Sequence, residues 1–157
     1  MTEETMTLGE ALTVRADTQR RLSELRTRLV AVAQVQEGET PAEDPQTLLN
    51  EFEQTAAQLE TLIARINRTN LTATISTGES LTAAIARRDV LALRFQTHRE
   101  LAAAASQRPE RYSLREIKLT PTVDVATLRR TVDELARERR ELDVALQEAN
   151  WATELVA

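Results

Sequence analysis

The stretch DPQTLLNEFEQTAAQLETLIARI, from Asp44 to Ile66, decides the fold class. Asp44 before Pro45 has the pattern of an N-cap followed by a first-turn proline. The carboxylate can accept an orphan backbone N–H, and the ring has no N–H to lose. From there Leu48, Leu49, Phe52, Ala56, Leu59, Leu62, Ile63 and Ile66 recur at intervals that keep them on one face of a helix. No Gly or Pro interrupts them, and the pattern lapses only near Asn67–Asn70.

Working outward gives the same kind of element on both sides. Thr7-Leu8-Gly9-Glu10 reads as a capping box. The helix it opens is predicted to reach about Gln36, along Leu8, Leu12, Leu22, Leu25, Leu29 and Val32, with Arg15 interrupting the row. Glu37-Gly38-Glu39-Thr40-Pro41 ends it, and so short a connection predicts an antiparallel hairpin. Beyond the central helix, Leu71–Thr77 alternates β-branched residues (Thr72, Thr74, Ile75) up to Gly78, the pattern of a short strand. Ser80 caps a third helix to about Gln107, with Leu81, Ala84, Ile85, Leu91, Phe95, Leu101, Ala102 and Ala105 as its inner row. Arg115–Thr122, with Ile117 and Leu119, is the other strand candidate, positioned to pair with residues 71–76. Asp124 caps a fourth helix along Val125, Leu128, Val132, Leu135, Leu142, Leu146 and Ala149. The expected fold is mainly α: two long antiparallel helical hairpins (four helices) joined by a short β element. It forms a single helical domain over residues 1–157. The first hairpin covers about 8–67, short β or loop segments 68–80 and 108–123, and helices about 81–107 and 125–155.

Composition supports helix and excludes several chemistries. Gly is 3, Pro 4 and aromatics 3% of 157 residues, too few for the turns and packed strands of an all-β fold. There is no Cys and one His, which excludes disulfide frameworks, thiol chemistry and Cys-based zinc sites. Net charge is −5. Seven acids and no base lie between Arg28 and Arg65, an arrangement that repels phosphate and argues against nucleic acid as a partner. No run approaches the ~20 apolar residues of a membrane helix. Met1–Thr7 is polar rather than signal-like, so the expected localisation is cytoplasmic and no membrane partner is expected.

Several helices carry more apolar surface than one seam needs. Val14, Val30 and Val35 lie outside the first helix's main row, Val90 and Leu93 outside the third's, and Val144 outside the fourth's. Two readings stand: scattered surface residues, or helices that pack on two sides, inside a bundle and against another protomer. The second predicts a homo-oligomer.

Particular words of the chain are Val35-Gln36-Glu37-Gly38-Glu39, Arg65-Ile66-Asn67-Arg68-Thr69-Asn70, Ala86-Arg87-Arg88-Asp89-Val90-Leu91, Glu116-Ile117-Lys118 and Gln147-Glu148-Ala149-Asn150-Trp151. In this order and spacing, from about Leu8 to Leu155, the chain resembles a small bacterial family catalogued as septicolysin and otherwise uncharacterised. The name implies a cytolysin. The residues argue otherwise, because the longest strand candidate is eight residues and holds Arg115, Glu116, Lys118 and Pro121.

Candidate sites are few. Thr77-Gly78-Glu79-Ser80-Leu81-Thr82 resembles part of a nucleophile elbow, but Thr82 stands where the second Gly belongs and Ser80 suits an N-cap. His98 alone cannot supply the paired histidines of a di-metal bundle, and no calcium-loop pattern exists; no metal, cofactor or catalytic residue is expected. Arg88 lies among Ala84, Ile85, Leu91 and Ala92. It could snorkel to the surface, sit in a buried ion pair with a carboxylate of another helix or chain, or clamp an anion. Asn67, Asn70 and Asn150 gather at helix ends beside Trp151, and with Arg88 they are the ligand or ion-pair candidates. The function expected is a non-enzymatic, self-associating structural or protein-interaction module. The alternative is a small-molecule or anion-binding protein, possibly an enzyme, with a pocket at a subunit interface around these residues and an unknown ligand.

Overall fold

The computed structural model describes residues 6–107 and 120–157. Four helices follow in order: α1 (Leu8–Ala31), α2 (Pro45–Thr72), α3 (Leu81–Ser106) and α4 (Val125–Ala152). The helix starts fall where local chemistry put them. Thr7 caps α1 with a complete capping box, its backbone N–H donating to Glu10 at 2.7 Å. Asp44 accepts from the N–H of Thr47, Ser80 from that of Ala83, and Asp124 from those of Ala126 and Thr127. These bonds favour the ionised form, so the Glu10, Asp44 and Asp124 carboxyls titrate below their ordinary values. For Glu10 the main cause is the Thr7 backbone bond; for Asp44 and Asp124 it is the side-chain bond from Thr47 and Thr127.

The chain divides into two compact units, one of residues 1–74 and 148–157, the other of residues 75–147. In the first, α1 and α2 run antiparallel. Their register brings Arg21 to Glu51 at 2.7 Å and Arg28 to Glu43, whose carboxylate it meets through two nitrogens. That bond from Arg28 also holds the Glu43 carboxyl below its ordinary value. Leu8, Ala11, Leu25, Leu48, Ile66 and Leu155 are buried here, with the hydroxyls of Thr55 and Thr69 satisfied by carbonyls one turn back. In the second unit α3 and α4 are also antiparallel. Arg87 reaches Glu138 at 3.7 Å, and Arg129 donates to Ser106 Oγ at 3.2 Å. Leu81, Ala84, Leu91, Leu135, Leu142 and Leu146 are buried.

The expected β element is not found among the described residues. Leu71 and Thr72 continue α2, and Thr72 donates its hydroxyl to the Arg68 and Thr69 carbonyls at 3.3 Å. Only Thr72 of the β-branched run joins the helix, its hydroxyl bonded one turn back, while Thr74 and Ile75 lie beyond the Ala73 cap. Gly78, at φ 84°, then closes a tight turn in which Ile75 N–H donates to the Glu79 carbonyl. Residues 115–119 of the second strand candidate lie outside the described residues, and Thr120–Thr122 form no strand. α1 is also shorter than expected. It stops at Ala31 rather than at Gln36, with Val32 as the C-cap donating its N–H to the Arg28 and Val30 carbonyls. Two residues of the expected inner rows face water: Leu49 is 42% and Leu101 43% exposed.

Candidate functional site

The residues singled out from sequence fall into both units. Arg88, on α3, is half-buried, and its guanidinium meets the carboxylate of its neighbour Asp89 at 2.9 Å rather than one from another helix. Asn67 is exposed on α2, while Asn70 and Asn150 are half-buried near the ends of α2 and α4. Trp151 is 56% exposed, yet its indole lies against Gly9. A methyl group at Gly9 would stand 2.8 Å from Trp151 Cδ2, which explains a glycine in the first turn of α1. Ser80 spends its hydroxyl on the α3 cap, and His98 directs Nδ1 to the Arg94 carbonyl at 2.8 Å. Among the described residues no three His, Cys, Asp or Glu side chains gather in a way that could hold a metal.

What sequence reading missed is a clasp in the first unit. Leu8 N–H donates to the Thr153 carbonyl and Leu155 N–H to that of Met6, both at 2.8 Å, so Thr7 and Glu154 form an antiparallel bridge. The end of α2 holds the same tail. Thr69 Oγ1, fully buried, accepts from Val156 N–H at 3.0 Å. Arg65 donates to the Val156 carbonyl and Arg68 to that of Ala157, each at 3.0 Å. The signal was the word Arg65-Ile66-Asn67-Arg68-Thr69-Asn70, whose arginines have no acid within a helical turn on α2 to pair with.

Two shallow clefts open on the α1–α2 hairpin. One, about 470 Å³, is lined by Asp17, Arg20, Arg21, Glu24, Arg28 and Glu51. Its arginines are bonded to Asp17, Glu51 and Glu43, so it offers an anion no free guanidinium. The other, about 440 Å³, lies along Val14, Thr18, Ala57, Thr61 and Leu62. In the second unit, Arg99 and Arg139 stand 5.7 and 5.3 Å from the Phe95 ring centre, a cation–π cluster joining α3 to α4.

The more extended feature is the outward face of α3. Val90 and Leu93, noted in the sequence, are 55% and 68% exposed. Ala86 and Thr97 continue the row and are exposed, and beyond Glu100 so are Leu101 and Ala104. What this face can offer is apolar contact to another helix.

A family model described as a family of unknown function (DUF6847) matches residues 15–155. The crystal structure of a functionally unknown conserved protein from Corynebacterium diphtheriae is 42% identical, over 98% of this chain and 100% of that one, with a TM-score of 0.90. No curated protein matches the chain. These findings overturn the expected resemblance to septicolysin: neither the family nor the solved neighbour carries that name. Among the described residues no helix is long and apolar enough to cross a membrane.

Proposed function

The chain belongs to DUF6847, a family of unknown function, and from that premise we propose a non-enzymatic, self-associating helical module that works through its helix flanks. The observation that carries the reading is an imbalance of apolar surface. Among the described residues as many large apolar side chains are exposed as are buried, and most of the exposed ones, such as Val30, Val90, Leu93 and Val144, stand on helices. Scattered exposed leucines are ordinary; rows of them at helical spacing are the pattern of a helix that takes a second helix. A structural role also fits Ser80 and His98, whose side chains bond their own helix. The reading includes a cytoplasmic setting. Light scattering behind size exclusion tests it. The expected result at tens of micromolar is a mass above the 17.6 kDa of one chain, and a single-chain mass at that concentration refutes the proposal.

A further inference from the structure

We propose that the partner of α3 is α3 of a second copy, packed parallel and in register along the row Ala86–Val90–Leu93–Thr97. The inference rests on the self-association just argued and assigns it a surface and a direction. The spacing is that of a heptad seam. Val90 and Thr97 are seven apart and form one inner position; Ala86 and Leu93 are seven apart and form the other, three residues after the first. The first position holds β-branched Val90 and Thr97 and the second holds Leu93 after Ala86; a β-branched residue at the first and leucine at the second is the pairing that favours two parallel strands. All four side chains are exposed in the single chain, so the seam is free to be covered.

Charge on the two flanks selects the direction. On a helix of 3.6 residues per turn, Asp89 and Gln96 lie along one edge of this row and Arg87 and Arg94 along the other. An antiparallel two-fold pair sets each edge against the same edge of its mate, acid on acid and arginine on arginine. A parallel pair sets opposite edges together, and each flanking residue meets the one five further along the partner. Asp89 then faces Arg94 of the partner subunit, twice by symmetry. Both groups can take these roles. Asp89 is 66% exposed and bonded only to the neighbouring Arg88, and the Arg94 guanidinium has no carboxylate partner among the described residues. Glu100 occupies the inner position after Thr97, with its carboxylate held by Gln96, and closes the apolar row. The seam is therefore short, and the association is reversible.

The chain has no cysteine, so one introduced thiol reports geometry directly. Under mild oxidation Leu93→Cys is expected to form a disulfide-linked dimer, because facing inner positions of a parallel pair come within the Cα separation a disulfide needs. Val144→Cys, exposed on α4, is the control and is expected to remain single. Asp89→Arg and Arg94→Asp are each expected to shift the mass by light scattering toward one chain, and the double variant to restore it. Circular dichroism checks that each variant keeps its helices. A two-chain mass without linkage at Leu93→Cys, or with no rescue in the double variant, overturns the parallel α3 seam and leaves self-association standing. A single-chain mass for the parent protein overturns both.

Discussion

At the scale of single residues, Gly9 and Thr69 show side chains chosen for what touches them. Glycine in a helix is ordinarily inferior to alanine by about 1 kcal/mol. Gly9 should reverse that sign, because a methyl there meets the Trp151 indole at 2.8 Å. Gly9→Ala is expected to lower the melting temperature in the parent chain and to raise it in a Trp151→Ala background. Trp151 is the only tryptophan, so its emission should also shift in Gly9→Ala as the ring is displaced. A Gly9→Ala protein that is more stable with unchanged fluorescence would contradict this packing. Thr69 bonds in two directions, donating to the Arg65 carbonyl and accepting from Val156 N–H. Thr69→Val keeps the shape and removes both bonds. About 1 kcal/mol should be lost, and hydrogen exchange at the Val156 amide should quicken. Unaltered protection at Val156 would mean that Thr69 does not hold the tail.

At the scale of elements, the helix starts share one design with a consequence for pH. Glu10, Asp44 and Asp124 each serve an N-terminal cap as carboxylates and titrate below their ordinary values. A carboxyl lowered in the folded state contributes stability above its unfolded value, and that contribution is lost as pH falls through the lowered one. Stability from this source should therefore be level from neutrality to about pH 5 and decline below about pH 4. Asparagine caps a helix nearly as well without the charge. The double variant Asp44→Asn, Asp124→Asn should accordingly keep its stability at pH 7 and show a shallower acid decline by thermal melting. An acid limb as steep as the parent's would show that other carboxyls dominate it.

For the whole molecule, self-association links stability to concentration. Whatever binds the folded chain and not the unfolded one raises the melting temperature by mass action, and a second copy is no exception. The melting temperature should rise as protein goes from about 1 to about 100 μM, and the rise should vanish in Asp89→Arg. A melting temperature independent of concentration across that range would count against a dimer of any geometry. The surface itself was only half legible in advance. Val90 and Leu93 stood out as a second row, while Leu101 was expected inside and is 43% exposed. Leu101 and Ala102 are adjacent on the helix, and periodicity alone did not tell which of the two turned inward; Ala102 is the buried one.

What the sequence determined by itself is the set of helices and where each begins. Caps and apolar periods act over three or four residues, and Thr7, Asp44, Ser80 and Asp124 carry their bonding partners within that reach. Only the tertiary structure decided where α1 stops, at Ala31, ahead of the loop that brings Glu43 to Arg28. It also decided that Leu71 and Thr72 extend α2 rather than begin a strand. The clasp of Met6 and Leu8 with Thr153 and Leu155, and the seating of Val156 on Thr69, join residues more than eighty positions apart. The Met6–Leu155 and Leu8–Thr153 bonds use backbone groups that every residue carries, so no local pattern encodes them; at Thr69 only the hydroxyl is particular, and burial of Leu8, Leu155 and Thr69 accompanies the contacts.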